Sequence, residues 1–269
     1  MTTHSRGAHL TLCVGLDPQP TVLEAWGLPD SESGLKAFVR AIVPVLESSR
    51  CEVVKPQVAF FERFGVAGMR HLTVLLGELR SRGIFTIGDA KRGDIDSTMS
   101  GYAQAWLTPG SDFETDAVTL VPYQGLRALE PALTLAGEHD KKVFVLAATS
   151  NPQARQTQMA IRSDGRTIAH GVVDDLWRWV EDCSASADAY GVVVGATVAV
   201  SDYTFDLRDY PGIPVLAPGF GHQGAVLSDA HSLFPETTPV TAVVARSVLL
   251  HGEAGCAGAI EAASAELSS

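Results

Sequence analysis

Short β-branched apolar runs recur eight times along this 269-residue chain, with helix-like segments between them. They lie near Leu10–Gly15, Glu52–Lys55, Ile84–Gly88, Ala117–Val121, Val143–Ala147, Gly191–Gly195, Pro214–Ala217 and Thr241–Ala245. Continuous apolar runs of this length suit parallel strands covered on both faces. Between them, Glu32–Glu47 sets Leu35, Phe38, Val39, Ile42, Val45 and Leu46 at helical spacing. Val66–Arg82 repeats the stripe until Gly83 stops it. Weaker stripes cover Asp96–Leu107, Leu126–Ala136, Thr167–Cys183, Ala225–Phe234 and Ala257–Leu267. The polar stretch Ser201–Gly212, with Pro211 and Gly212, gives no basis for assigning a helix. Eight alternations in about 250 residues predict an α/β fold, a (β/α)8 TIM barrel with residues 1–269 as one domain. The structural alternative, a doubly wound open sheet, would carry fewer strands and a switch point.

Composition narrows the partners. Hydrophobic residues make up 46% and charged residues 19%, enough apolar material for one large core. A formal net charge of −11 argues against nucleic acid and anionic membrane as main partners, while leaving room for a local basic pocket. No apolar run approaches the roughly 18 residues needed to span a bilayer. Cys13, Cys51, Cys183 and Cys256 show no metal-site spacing and read as buried reduced thiols. A strand-like run beginning at Leu10 leaves little room for a signal peptide, so a reducing cytoplasm is the expected location. Between the fifth and sixth strands, Asn151–Ala189 carries the turn signal Ser163-Asp164-Gly165 and reads as an elaborated loop.

Barrels of this kind gather their chemistry where strands end and the following loops begin. The run Asp89-Ala90-Lys91-Arg92-Gly93-Asp94-Ile95 follows the apolar residues Ile84–Ile87 and is expected just past the strand. Residues two apart on a strand share a face, so Asp89 and Lys91 should project together, with Asp94 re-aimed by Gly93. Two carboxylates around one lysine in a surface loop would mean little. At the end of a buried strand they point to a bound or transformed ligand. Asp17-Pro18 ends the first strand, Lys55-Pro56-Gln57 the second, Ser150-Asn151-Pro152 follows the fifth and Arg246 the eighth. Singly, each has an ordinary explanation as a turn, helix cap or surface ion pair. Their joint placement at one end of the barrel favours a site. The glycine-rich run Pro218-Gly219-Phe220-Gly221-His222-Gln223-Gly224, with Arg246 at the next strand end, reads as the anion-binding side.

The blocks GLDP, KPQVAFFERFG, DAKRGDI, ATSNP, PGFGHQGA and ARS, in that order from Gly15 to Ser247, resemble the orotidine 5′-phosphate decarboxylase family. The similarity is to its bacterial subgroup with the longer chain and the KPQxAFFE signature. The resemblance implies conversion of orotidine 5′-monophosphate to UMP and CO2 without metal or organic cofactor. It further implies that Asp89 opposes the substrate carboxylate and that Lys91 stabilises and then protonates a carbanion at C6. Asp94 would hold Lys91 and contact ribose, reaching in with Thr98 from the other subunit of a homodimer. Asp17 and Lys55 would bind ribose hydroxyls, Ser150 the pyrimidine edge, and Gln223, Arg246 and Gly221 the phosphate. Ile95 and Pro218 carry over as further substrate contacts. His222 and Ala225 depart from the family's usual small residue and glycine, which puts the phosphate grip in question.

Rival readings remain open at this point. A Mg-dependent sugar-phosphate decarboxylase or hexulose-phosphate synthase shares a DxKxxD layout, but an acidic metal ligand is expected just before the first Asp, where Ile87 and Gly88 stand. A Schiff-base aldolase prefers a lysine in an apolar pocket, and flanking carboxylates argue the other way. A silent nucleotide-binding barrel is the third.

Overall fold

The computed structural model describes residues 10–183 and 186–269. The strands are β1 (Leu10–Leu16), β2 (Val53–Pro56), β3 (Phe85–Arg92), β4 (Ala117–Leu120), β5 (Lys142–Ala148), β6 (Tyr190–Val194), β7 (Val215–Pro218) and β8 (Val240–Val244). They pair in sequence order, all parallel, and β8 pairs back on β1, closing a (β/α)8 barrel. The helices are α1 (Pro20–Ala25), α2 (Glu32–Ser48), α3 (Ala59–Glu62), α4 (Gly65–Ser81), α5 (Asp96–Leu107), α6 (Glu130–Glu138), α7 (Arg155–Gln158), α8 (Ile168–Cys183), α9 (Ala230–Leu233), α10 (Arg246–Leu249) and α11 (Gly252–Leu267).

Three expectations need correction. The stripe Ala225–Phe234 forms only a 3-10 turn, Leu227–Asp229, and the four-residue α9. Four of its ten positions, Ser228, Asp229, His231 and Ser232, are polar, and Pro235 bars continuation. The second concerns β3, which does not stop at Gly88. It runs on to Arg92 through an irregularity in its pairing with β4. Lys91 there takes φ +47°, a left-handed conformation that side chains adopt at a cost. Ser201–Gly212, where sequence assigns no helix, holds two 3-10 turns, Val200–Tyr203 and Leu207–Asp209. Of the thiols expected to be buried, Cys13 and Cys256 are, Cys51 is half-buried, and Cys183, the last residue of α8, is exposed.

Strand periodicity builds the interior in layers. Cys13, Val53, Ile87, Ala117, Phe144, Val193, Leu216 and Val243 form a buried apolar plug inside the barrel. Two residues further along each strand, the same inward face carries Lys55 above Val53, Asp89 above Ile87, Thr119 above Ala117 and Leu146 above Phe144. The outer faces of the strands pack on the helices in one continuous core, with Leu35, Phe38, Ile42, Leu72, Leu75, Leu76 and Leu79 of α2 and α4 at its centre. α2 begins where Ser31 Oγ accepts the Gly34 N–H at 3.3 Å, as an N-cap should.

Candidate active site

A cavity of about 420 Å³ opens at the carboxyl ends of the strands. Its floor is the top of the apolar plug, at Leu146, Val193, Leu216 and Val243. Asp17, Lys55, Asp89, Lys91 and Arg246 supply its charge, three cations against two carboxylates. That is an excess of one positive charge in a chain of net charge −11.

Asp89 is the hub. Lys55 Nζ donates to its Oδ2 at 2.7 Å and Lys91 Nζ to its Oδ1 at 2.5 Å. Thr119 Oγ1 donates to the same Oδ1 at 2.9 Å, and accepts the Lys91 N–H at 3.0 Å. That second bond fixes the backbone at the strained residue. Burial opposes ionisation of Asp89, but the Lys55 and Lys91 ammonium groups outweigh it and hold the carboxyl far below the usual range. For Lys55 burial favours the neutral amine, yet Asp89 and Asp17 prevail and push its pKa up. Asp89 and Lys55 are therefore ionised through the physiological range.

Asp17 differs. Burial raises its pKa against the pull of Lys55, and its Oδ1 lies out of solvent with no hydrogen-bond partner. Gln57 Oε1, on the same side of the pocket, is a second buried acceptor without a donor. Two such acceptors facing one cavity are suited to ligand hydroxyls. Gly15 permits the crowding, since a Cβ there would lie 2.9 Å from Ala245 Cβ.

The opposite side comes from the loops after β5, β7 and β8. Ser150 Oγ donates to Gln223 Oε1 at 3.3 Å, joining the fifth loop to the seventh across the pocket mouth. Pro218, Gly219, Phe220, His222 and Gln223 line the wall beside Arg246. Gly221 is not part of it. Its N–H donates to Ala225 O at 2.8 Å, and a Cβ on it would fall 2.6 Å from Ser247 Oγ, on the far side of the loop. The loop folds on its own hydrogen bonds, which ties up the expected Gly221 amide.

Of the residues expected from sequence, Asp17, Lys55, Asp89, Lys91, Ser150, Pro218, Gln223 and Arg246 are brought together. Asp94, Ile95 and Thr98 are not part of this single-chain pocket. Asp94 Oδ1 accepts the N–H of Ile95, and both Ile95 and Thr98 are exposed at the start of α5. Thr119 is a pocket residue that sequence reasoning passed over, and Gln57, Thr149 and Asn151, placed at strand ends from sequence but given no role there, also line the pocket. A polar residue inside the short apolar strand Ala117–Leu120 is the signal that could have found Thr119. Among the described residues no three His, Cys, Asp or Glu side chains gather as a metal-holding group, and no helix is long and apolar enough to cross a membrane.

The chain is similar to known proteins in sequence and fold. The chain is 44% identical over 251 residues to an orotidine 5′-phosphate decarboxylase of Corynebacterium glutamicum, covering 90% of this chain and 86% of the relative. A namesake from Salinispora tropica is 44% identical over 242 residues, covering 90% and 85%. A crystal structure of a candidate orotidine 5′-phosphate decarboxylase from Streptomyces avermitilis superposes with a TM-score of 0.87 at 40% identity, over 96% of this chain and 90% of that one. The OMP decarboxylase of Leishmania donovani gives a TM-score of 0.74 at 27% identity, over 96% and 94%. The family model described as Orotidine 5′-phosphate decarboxylase / HUMPS matches residues 10–257, and the chain belongs to that family.

Proposed function

We propose that this chain is a carboxy-lyase of pyrimidine biosynthesis that converts orotidine 5′-monophosphate to UMP and CO2. The observation that carries the reading is the ionised Lys55–Asp89–Lys91 network on the inward face of adjoining strands. Asp89 faces the substrate carboxylate, and repulsion between the two favours departure of CO2. The C6–carboxyl bond breaks with its electron pair left on C6. A fixed ammonium is the electrostatic remedy for such a poorly delocalised carbanion. Lys91 Nζ supplies it, gives its proton to C6, and recovers one from solvent after UMP leaves. With three hydrogen-bond donors on its carboxylate, Lys55, Lys91 and Thr119, Asp89 stays in place through the cycle without itself taking a proton.

Asp17 and Lys55 bind the ribose hydroxyls, Ser150 the pyrimidine edge, and Gln223 with Arg246 the phosphate. Binding energy at the phosphate, remote from C6, draws the loops after β5 and β7 together. Asp94, Ile95 and Thr98 serve the pocket of a second copy in a homodimer, which is why they lie outside their own. In this reading the enzyme works in a reducing cytoplasm, which suits its free thiols.

The test follows the ultraviolet band of orotidine 5′-monophosphate mixed with purified protein and EDTA. The expected result is loss of the band with one UMP formed per substrate consumed. An unchanged spectrum with folded protein would turn the assignment toward a metal-dependent sugar-phosphate enzyme or a binding barrel.

A further inference from the structure

The connection from β5 to β6 contains α7 and a hairpin that the reaction chemistry leaves without a role. α7 ends at Gln158, whose amide reaches back to the end of β5. Gln158 Oε1 accepts the Thr149 N–H at 2.9 Å, and Nε2 donates to Thr149 Oγ1 at 3.0 Å. Thr149 Oγ1 in turn donates to Asn151 Oδ1 at 2.8 Å. The roles are forced: the backbone N–H must face the amide oxygen, so the amide nitrogen faces the hydroxyl. Donors and acceptors are then matched throughout.

The clamp is held from behind. Arg155 at the start of α7 pairs with Asp202 at 3.3 Å and lies over the Tyr203 ring. After α7 the chain doubles back through an Ile161–Thr167 bridge, and Thr167 Oγ1 donates to Tyr203 O. Gln158 is thereby fixed to the β6–β7 connection. In front of the clamp stands Ser150, wedged against Gly195, where a Cβ would lie 3.1 Å from Ser150 Cβ. Ser150 carries the bond to Gln223.

We propose that Gln158 is a positioning residue, setting Ser150 and through it the bridge to Gln223 across the pocket mouth. The inference rests on the decarboxylase reading, with Ser150 on the pyrimidine edge. A displacement of about 1 Å in such a group lowers turnover markedly. Gln158 touches no reacting atom, so its effect must pass through the β5 loop.

The experiment is a double-mutant cycle on the full-length protein with Gln158→Leu and Ser150→Ala, reading kcat, KM and Tm with orotidine 5′-monophosphate. Gln158→Leu is expected to lower kcat/KM about tenfold in the wild-type background, equivalent to about 1.4 kcal/mol. In the Ser150→Ala background it should change kcat/KM by less than about twofold, the tolerance of additive pairs. Equal losses in both backgrounds, or no loss in either, would overturn the inference. If Gln158→Leu does not fold, Gln158→Glu takes its place in the same cycle, keeping the acceptor for the Thr149 N–H and losing the donor. Absence of wild-type turnover would overturn the decarboxylase reading and this inference together, whereas wild-type turnover with additive losses would overturn the inference alone.

Discussion

Asp89 Oδ2 lies 2.7 Å from Lys55 Nζ, and less than a tenth of either side chain is exposed. An ion pair this deep is secure only while both members remain, because a single survivor is an uncompensated buried charge. Asp89→Asn should therefore cost about 3 kcal/mol of stability as well as turnover. Urea unfolding at neutral pH checks it. A loss below about 1 kcal/mol would mean that Lys55 finds another partner. The pH dependence has a definite sign. The folded-state pKa of Asp89 is depressed, so its contribution is complete above the unfolded value near 4 and fades as pH falls below it. The gap between wild type and Asp89→Asn should narrow in acid and stay constant above about pH 5.

Asp17 carries the opposite sign. Its raised pKa means that ionisation is costly in the folded, ligand-free protein, so stability is lost as pH rises through the folded value. Asp17→Asn should raise Tm by about 2–4 °C, equivalent to about 1 kcal/mol in a chain this long. It should also raise KM about tenfold, since a hydroxyl acceptor with charge is replaced by a neutral one. Thermal melts and steady-state kinetics on one preparation decide the matter. A lower Tm would show that Asp17 stabilises the empty pocket.

Lys91 combines a left-handed backbone with the side chain proposed to protonate C6. Lys91→Ala and Lys91→Gly should both abolish decarboxylation and remain folded. The glycine variant should be the more stable by about 1 kcal/mol, because only it relieves the strain at φ +47°. Chemical denaturation of the two proteins gives the comparison. Equal or greater stability of the alanine variant would remove strain from the account.

The placement of Asp94 outside its own pocket makes subunit mixing informative. In the proposed homodimer, Lys91→Ala and Asp94→Ala proteins should each be inactive. Mixed after dissociation, they should recover about a quarter of wild-type turnover, from half the dimers each holding one intact site of two. No recovery, with exchange verified by differently tagged chains, would place Asp94 in a single-subunit role.

The eight strands were legible because strands buried on both faces are continuous apolar runs, and turn residues bound them. The end of β3 was not. Sequence ended the strand at Gly88 and read Asp89-Ala90-Lys91 as its spill into a loop, whereas the strand continues through them to Arg92 with an irregular pairing and Lys91 left-handed. Charged residues carry no strand propensity, and the pairing with β4 that holds them there is a tertiary effect. Most of the charged side chains at the strand ends were found by position alone. Thr119 escaped, and Gln57 was placed at a strand end without a role, because an amide or hydroxyl there is common and only its burial marks it. Gln158 escaped for a different reason: nothing along the chain relates it to Thr149, since their contact depends on how α7 turns back.

The barrel closes where β8 pairs with β1, Leu10 beside Val240 and Val14 beside Val244. Asp17 follows one of these strands and Arg246 the other, and Trp26 Nε1 donates across the same seam to Leu249 O at 2.8 Å. The two edges of the sheet are thus the first and last strands to leave the ribosome. A nascent or C-terminally shortened chain has the Asp89 hub but neither a closed sheet nor the guanidinium. Ligand that binds only the completed pocket adds its binding energy to completed chains. Under the decarboxylase reading, nucleotide would stabilise finished molecules and leave interrupted ones, with the β1 edge open, without that gain.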